Sequence, residues 1–288
     1  MTLNLIPKLK EKYPNYEIDY FCHPSIGNNL EQFFKLAGIS KWYDFNSLGE
    51  HQSKYEHIFN MVGYPIPPKG NYPEEPMNKH LLQYFADEVD IDSTELPQLC
   101  INKKPEAIVK DSYITIHPKA GWSMYKNWSM TNWEKLIAKI RLESTVPVNF
   151  IQIGAADDYK LEGANHSFMG KSLIESINLI ANANLHLGVD SFSNHLTHIL
   201  WEDERTPAVI LWGSTQASAA GYEENCNISL GLSCQPCFRE SPGISNMTRG
   251  ICPNPPEQTY DAPNHLCMSK ISVDMVLEKI REYLNETM

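Results

Sequence analysis

The residues best suited to hold a phosphorylated ligand lie in short segments of the second half of the sequence. The segment His117–Trp128 contains Gly121 and then Lys126, so backbone N–H groups and an ammonium can together bind a diphosphate. The segment Asp190–His195 carries serine hydroxyls that can donate to phosphate oxygens. Taken alone, each pattern also fits a solvated loop lysine or an ordinary helix cap.

Two further segments offer carboxylates, hydroxyls and backbone donors. Asp157 and Asp158 follow Gly154, and acidic side chains at such a place bind ribose hydroxyls in dinucleotide-binding folds. A solvated turn explains the same pair equally well. Ser214 and Thr215 follow an apolar run and add hydroxyl donors.

The cysteines indicate a second chemistry. Cys234, Cys237, Cys252 and Cys267 are separated by 2, 14 and 14 residues. The close pair can set two sulfurs on one turn, and the later two can complete a tetrahedron around a metal ion. The proline-rich sequence between them cannot order itself through a core, so a metal would supply the stabilisation. Four thiolates favour zinc on chemical grounds, and incidental thiols are the alternative.

The elements that must position these residues alternate between strand and helix patterns. The predicted strands are Tyr113–His117, Val148–Gly154, Leu185–Val189 and Ala208–Trp212, and the predicted helices are Thr131–Leu142, Ser172–Ala183, Ser193–Trp201 and Ile271–Leu284. Thr131 with Glu134, and Ser172 with Glu175, are expected to form capping boxes. The pattern predicts an α/β fold with a parallel sheet covered on both faces. Because ligands bind beyond the carboxyl ends of such strands, the four segments are expected in one crevice.

The first half of the chain has a less regular pattern of helices and strands. Its predicted helices are Leu3–Tyr13, Asn28–Leu36 and Met77–Val89, and its predicted strands are Tyr16–Cys22, Lys41–Phe45 and His57–Val62. A doubly wound domain normally opens with a strand, whereas this sequence opens in the helix. We therefore expect a shortened domain over residues 1–108, without its first strand, and a second domain over residues 109–288.

Composition excludes several classes of protein. The net charge of −11 disfavours binding to nucleic acid, whose phosphate backbone the chain would repel. No apolar run is long enough to span a membrane, and the early lysines follow apolar residues, which is the wrong order for a signal peptide. We expect a cytoplasmic protein with no transmembrane segment and no nucleic-acid partner.

Taken together, the motifs of the second half resemble glycosyltransferase family 9, the bacterial heptosyltransferases. The resemblance rests on an ordered set: His117-Pro118…Lys126-x-Trp128, Ile153-Gly154, Ser172-Leu173, Asp190-Ser191…His195 and Gly213-Ser214-Thr215. It covers residues 110–288 well and is looser over residues 1–110. It implies a GT-B fold, with two facing Rossmann-like domains, of which the N-terminal one is on the acceptor side and the C-terminal one binds a nucleotide sugar.

The resemblance also implies roles for individual residues. The chain would be an inverting glycosyltransferase that moves a heptose or hexose from a nucleoside-diphosphate sugar to a hydroxyl of a glycan or protein. An ADP-sugar is the favoured donor. Lys126 would neutralise the leaving diphosphate, and Asp190 would line the donor-sugar pocket, so no catalytic metal is expected. The other expected donor-binding residues are His117, Ala120, Asp157, Asp158, Lys171, Ser191, Phe192, His195, Ser214 and Thr215.

Two departures from the family pattern leave alternatives open. Phe192 stands where the family usually has glycine. The family's catalytic aspartate lies in a Gly-Asp loop before the first helix, and no such pair precedes the helix here. Asp19 and His23 are candidates for the base from position alone. The alternatives are a catalytically incomplete nucleotide-sugar-binding or scaffolding subunit and a nucleotide-sugar epimerase on the same fold.

The resemblance also implies a metal for the cysteines. Autotransporter heptosyltransferases, close relatives within the family, carry a comparable structural iron site. The four cysteines of the 234–267 segment would therefore hold iron, with zinc as the alternative. A homo-oligomer is compatible with these expectations.

Overall fold

A computed structural model describes residues 1–61, 79–121, 123–237 and 265–287 of the chain. Strands alternate with helices, and neighbouring strands run parallel in every sheet. This arrangement confirms the α/β class that the alternating apolar runs and amphipathic stretches predict. Within the described ranges, no helix is both long and apolar enough to cross a membrane.

The N-terminal half is built around a small parallel sheet. Its elements are α1 (Ile6–Lys12), β1 (Asp19–Cys22), α2 (Pro24–Leu36), β2 (Lys41–Asp44), α3 (Leu48–His51), α4 (Leu81–Glu88) and β3 (Cys100–Ile101). β1 pairs with β2, placing Asp19 opposite Lys41 and Cys22 opposite Asp44. Buried side chains of α1, α2 and α4, including Leu9, pack into one apolar cluster with β1.

The strand predicted at His57–Val62 is wrong over its described part. Residues 57–61 form no regular element. Instead, the ring of His57 lies 4.7 Å from that of Tyr13, and the ring of Phe59 lies 6.2 Å from it. The apolar side chains that suggested a strand therefore pack against the end of α1 without joining the β1–β2 sheet.

The C-terminal half contains a larger parallel sheet with helices around it. Its elements are β4 (Tyr113–His117), α5 (Met130–Glu143), β5 (Asn149–Gly154), β6 (His166–Met169), α6 (Leu173–Ala181), β7 (Leu185–Val189), α7 (Phe192–Leu196), β8 (Leu200–Trp201), β9 (Ala208–Leu211), α8 (Ala217–Ala220), β10 (Cys226–Ile228), α9 (Leu266–Ser269) and α10 (Val273–Thr287). Trp133 and Leu136 of α5 pack with Val276 and Leu277 of α10 in its main core.

The order of strands in this sheet creates a place for a ligand. The sheet has the order β10-β9-β7-β4-β5-β6. The chain leaves β4 toward β5 and β6, then returns to the other side of β4 as β7, where His117 lies opposite Gly188. Loops that follow β4 and β7 therefore diverge and leave a crevice at the carboxyl ends of the two strands.

The two halves contact each other through a short ladder and a shared core. β3 pairs in parallel with β8, and Leu200 N–H donates to Leu99 O at 3.0 Å. Phe33 of α2, Ile101 of β3 and Trp201 of β8 belong to one buried cluster. The division of the chain near residue 108 stays a prediction, because these contacts cross it.

Candidate functional site

Three loops of the C-terminal sheet meet around one ammonium group. Lys126 Nζ lies 2.6 Å from Asp190 Oδ2, and Thr215 Oγ1 donates to the same oxygen at 2.6 Å. The side chains of Lys126 and Asp190 are 11% and 5% exposed. Buried charges persist when they are paired and hydrogen-bonded, as they are here. The loops after β4, β7 and β9 thus converge, as the sequence predicts.

A close backbone contact holds the Lys126–Asp190–Thr215 cluster together. Ser214 N–H donates to Tyr125 O at 3.2 Å, which joins the loop after β9 to the turn that carries Lys126. A Cβ on Gly213 would lie 2.1 Å from the same carbonyl oxygen, so the approach requires glycine. Ser123 Oγ accepts a hydrogen bond from Tyr125 N–H at 3.3 Å and caps this turn.

A hydroxyl network adjoins the cluster at the crevice between β4 and β7. His117 Nδ1 lies 2.8 Å from Ser191 Oγ and 3.1 Å from Ser193 Oγ, and the two hydroxyls are 3.0 Å apart. Burial lowers the pKa of His117 to about 4, and the charge of Asp158 opposes this shift. The ring is therefore neutral at pH 7 and joins the network without adding a charge.

Two other predicted donor-binding residues border this network. Phe192 begins α7 and is 40% exposed, with its ring in edge contact with that of His117 at 4.9 Å. Ala120 is buried, and its N–H donates to Asn127 Oδ1 at 2.7 Å. The Ala120 donor is thus already engaged within its own loop.

The two adjacent aspartates after β5 have different environments. Asp158 Oδ1 lies 2.6 Å from Lys119 Nζ, and Asp158 Oδ2 accepts from Ala155 N–H at 2.7 Å. Its carboxylate is 5% exposed. Asp157 is exposed to solvent. Asp158 therefore fixes the loops after β4 and β5 to each other, whereas Asp157 is accessible to a ligand.

The remaining predicted residues of this half occupy three different places. Lys171 is exposed and precedes Ser172, the N-cap of α6. Ser214 is fully buried, and within the described ranges its hydroxyl has no hydrogen-bond partner. His195 lies in the last turn of α7, with Nδ1 3.0 Å from the Tyr222 hydroxyl.

The two candidates for the acceptor base lie in the N-terminal half. Asp19 Oδ2 accepts a hydrogen bond from the Tyr55 hydroxyl at 2.7 Å. His23 caps α2, accepting from Ser25 N–H at 3.2 Å. Both line a cavity of about 1280 Å³ whose described walls come from residues 2–85. The Lys126–Asp190–Thr215 cluster contributes nothing to these walls.

Three of the four predicted metal ligands lie in the described part of the chain, and Cys252 lies outside it. Cys237 N–H donates to Ser214 O at 2.9 Å. A Cβ on Gly213 would lie 3.0 Å from the side chain of Met268, which follows Cys267. Both ends of the cysteine-containing segment are thus anchored on the same turn. No group of three or more His, Cys, Asp or Glu side chains is gathered for a metal within the described ranges.

Some residues of the site escaped sequence reasoning. Lys119 and Ser193 lie inside segments that the motifs mark, so the sequence could have indicated that they lie close to the predicted residues. Tyr222 carries no sequence signal, because it follows α8 without a recognisable motif and reaches His195 only through the fold. Long-range side-chain contacts of this kind are not encoded in local spacing.

Comparison with known proteins identifies the family. The model of glycosyltransferase family 9 (heptosyltransferase) matches residues 67–246, more than half of the chain. The comparison with curated proteins gave no match.

Several solved structures share the fold. The family 9 glycosyl transferase from Veillonella parvula has a TM-score of 0.64 at 14% identity, with 99% of this chain and 93% of that one covered. ADP-heptose LPS heptosyltransferase II from E. coli has a TM-score of 0.62 at 13% identity, covering 99% and 95%. The iron-containing dodecameric glycosyltransferase TibC from enterotoxigenic E. coli has a TM-score of 0.58 at 14% identity, covering 94% and 76%.

At these identities the structures establish the fold, which is the GT-B architecture of heptosyltransferases. The sequence match and the shared fold point to the same group of enzymes. The chain belongs to glycosyltransferase family 9, the heptosyltransferase family.

Proposed function

We propose that the chain is an inverting glycosyltransferase that moves a heptose or hexose from an ADP-sugar to a hydroxyl of a glycan or a protein. The observation that carries the proposal is the Lys126–Asp190–Thr215 cluster, which sets a buried ammonium at the crevice between β4 and β7. TibC has been solved with ADP-D-beta-D-heptose, which supports an ADP-sugar as the donor.

The proposed chemistry uses the cation to stabilise the leaving group. As the acceptor oxygen attacks the anomeric carbon, negative charge develops on the departing diphosphate, and the Lys126 ammonium would stabilise that charge. Asp190 binds the ammonium directly and Thr215 donates to Asp190, so the ammonium is held in position without a ligand. Because Lys126 supplies the positive charge, the proposal requires no catalytic divalent cation.

The neighbouring residues fit the other parts of an ADP-sugar. Backbone N–H groups of Ser191 and Phe192 would hold the same diphosphate, beside the hydroxyl network of His117. We assign the ribose hydroxyls to Asp157, since it is exposed while Asp158 is held by Lys119. Lys171 would lie near the base. Asp190 would also line the sugar pocket, as a hydrogen-bond acceptor for sugar hydroxyls.

Calorimetry with ADP and ADP-heptose tests the donor site. Lys126→Ala should weaken binding of both ligands at least about tenfold, because a charge-assisted contact to the diphosphate is lost. Lys135→Ala is the matched control, since Lys135 is an exposed lysine of α5 outside the site, and it should bind as wild type does. Equal affinity of Lys126→Ala and wild type would contradict the proposed role.

Turnover separates the proposal from its two alternatives. A transferase releases ADP from ADP-heptose as the sugar moves to an acceptor. A binding or scaffolding subunit would bind the nucleotide sugar and release no ADP, whereas an epimerase would change the sugar and keep it attached to the nucleotide. Chromatography of the reaction mixture distinguishes the three results.

The second part of the proposal concerns a structural metal held by Cys234, Cys237, Cys252 and Cys267. The thiolate donor set suits iron or zinc, and the iron-containing relative TibC favours iron. The two described ends of the segment meet at Gly213–Ser214, directly before Thr215. A metal there would close the segment next to the donor site and stabilise the loop after β9.

Elemental analysis tests the metal site. We expect about one metal ion per chain, lost together with several degrees of melting temperature in Cys234→Ser. Cys100→Ser should keep its metal, because Cys100 lies on β3, far from the cysteine segment in sequence. Metal-free wild-type protein with an unchanged melting temperature on chelation would refute this part.

The cellular setting follows from the same chemistry. We expect the thiolates to persist in the reducing cytoplasm. A homo-oligomer is also part of the proposal, and TibC is a dodecamer. Light scattering of the purified chain measures its assembly directly.

A further inference from the structure

A histidine is buried inside the C-terminal sheet, below the hydroxyl network of the crevice. His186 of β7 is fully buried, and it lies opposite Thr115 of β4. Two residues further along each strand, Gly188 lies opposite His117, which belongs to that network. Side chains two residues apart on a strand share a face, so the two histidines lie on one face of the sheet. Burying a polar ring is costly unless its nitrogen atoms are hydrogen-bonded, so the partners of both nitrogens matter.

The two ring nitrogens of His186 differ in their partners. Nδ1 lies 2.9 Å from Thr115 Oγ1, and the Thr115 hydroxyl donates to Leu185 O at 3.5 Å. Nε2 is buried and has no hydrogen-bond partner within the described ranges. Burial lowers the pKa of His186 to about 3, so at neutral pH the ring carries one hydrogen and one lone pair.

The carbonyl group of Leu185 sets the direction of these hydrogen bonds. A carbonyl oxygen only accepts, so the Thr115 hydroxyl gives its single hydrogen to Leu185 O and accepts from His186 Nδ1–H. The neutral imidazole has one N–H group, so Nε2 then presents its lone pair. His186 is thus prepared to accept a hydrogen bond at Nε2.

Gly188 brings this lone pair close to the hydroxyl network. A Cβ at residue 188 would lie 2.9 Å from His186 Nε2, 3.5 Å from Ser193 Oγ and 3.5 Å from His117 O. All three are polar atoms, and Ser193 is fully buried. Because glycine has no Cβ, the histidine ring and the serine hydroxyl can approach each other across this position.

The hydroxyls of Ser191 and Ser193 share one ring nitrogen. His117 Nδ1 lies 2.8 Å from Ser191 Oγ and 3.1 Å from Ser193 Oγ. A neutral ring nitrogen carries either one hydrogen or one lone pair, so it cannot satisfy both hydroxyls equally. A phosphate oxygen accepts hydrogen bonds, so it needs a hydroxyl hydrogen that no group of the protein has taken. A second acceptor for Ser193 would therefore free the Ser191 hydrogen for a ligand.

We propose that His186 is a positioning residue of the donor site and acts through Ser193; this inference rests on the proposed function. The Ser193 hydroxyl donates to His186 Nε2 across Gly188, and its oxygen accepts from His117 Nδ1–H. The Ser191 hydrogen is then left to donate to the diphosphate of an ADP-sugar. No group gains or loses a proton, and only the direction of the hydrogen bonds is set.

Calorimetry with ADP and with adenosine, which lacks the diphosphate, tests this role. His186→Phe keeps a buried ring without nitrogen atoms. It should weaken ADP binding about fivefold, the effect of one hydrogen bond, and leave adenosine binding unchanged. Equal ADP affinity in His186→Phe and wild type would overturn the proposal, as would an equal loss for both ligands.

Tyr113→Phe is the matched control. Tyr113 lies on the same face of β4 as Thr115, and its buried hydroxyl donates to Leu179 O at 2.9 Å. The substitution therefore also removes a buried hydrogen bond from this face, but outside the proposed path. It should bind both ligands as wild type does, and a fivefold loss of ADP affinity here would show that any buried change on this face disturbs the site, which overturns the proposal.

Ser191→Ala separates positioning from a general disturbance of the fold. Because His186 acts by leaving the Ser191 hydrogen free, His186→Phe should weaken ADP binding no further once residue 191 is alanine. A further fivefold loss in the double variant would overturn the proposal. Wild-type protein that binds no ADP would instead refute the proposed function.

Thr115→Val tests the same path with a smaller change, and it serves if His186→Phe does not fold. Valine keeps the shape of the side chain and removes the hydroxyl that fixes the hydrogen of His186 on Nδ1. ADP affinity should fall about threefold, with adenosine binding unchanged. Nitrogen-15 NMR of wild type should show His186 protonated at Nδ1, in a signal that Thr115→Val shifts. An unchanged ADP affinity in Thr115→Val, or protonation of His186 at Nε2 in wild type, would overturn the proposal.

Discussion

At the scale of single residues, two buried lysine–aspartate pairs lie at the proposed donor site. Lys126 pairs with Asp190, and Lys119 pairs with Asp158, each with nitrogen and oxygen 2.6 Å apart. In a chain whose net charge is −11, these cations are local exceptions placed beside the crevice. Breaking either pair by removing one partner would leave an uncompensated buried charge, which costs about 3–5 kcal/mol. The pairs therefore fix the loops before any ligand arrives.

Gly213→Ala should disturb both stability and donor binding. The new Cβ would lie 2.1 Å from Tyr125 O, and 3.0 Å from the Met268 side chain, so backbone must move. Overpacking of this kind costs about 1–3 kcal/mol. Because Tyr125 precedes Lys126, the affinity for ADP should fall as well. Urea unfolding and calorimetry measure the two effects.

Gly49→Ala is the control for that substitution. Gly49 lies in the short helix α3, and a Cβ there meets no atom within 4 Å. Alanine also favours helix by up to about 1 kcal/mol over glycine. The control should be neutral or slightly stabilising, and equal destabilisation of both variants would show that the Gly213 contact is unimportant.

The sequence predicted that these loops would lie together but could not describe how their side chains pair. The motifs marked Lys126, Asp190 and Thr215, and the strand-end rule predicted that their loops would meet. The same motifs gave no means of choosing between Asp157 and Asp158. That distinction depends on which carboxylate reaches Lys119, 39 residues earlier in the chain. Such pairings are set by the packing of loops and not by local composition.

At the scale of elements, local sequence signals predicted helix starts correctly where no long-range contact competes with them. The capping box of Ser172 with Glu175 is confirmed at the start of α6. The box predicted at Thr131 is wrong, because α5 begins at Met130 with Ser129 as its N-cap. The helix predicted over Ser193–Trp201 is also shorter than expected. Its second part leaves the helix and forms β8, since pairing with β3 outweighs its apolar periodicity.

At the scale of the whole molecule, the halves are held together by apolar burial and by hydrogen bonds. The Asn178 amide donates to Glu106 O at 2.6 Å, and the Gln98 amide donates to His198 O at 2.7 Å. The second contact reaches the residue on which Tyr222 stacks. Packing between the halves therefore bears directly on the surroundings of His195.

Ile101→Ala should weaken this junction. Ile101 is 3% exposed in β3 and belongs to the cluster that contains Phe33 and Trp201. Truncating a buried isoleucine costs about 2–5 kcal/mol, because apolar contact is lost and a cavity remains. Since the cluster contains residues of both halves, fluorescence and far-ultraviolet circular dichroism should show one common unfolding transition at a lower urea concentration than in wild type.

Ile108→Ala is the control. Ile108 is 49% exposed, so the substitution should change the free energy of unfolding by less than about 0.5 kcal/mol. Two separate transitions in wild type would show that the halves unfold independently and that the junction contributes little.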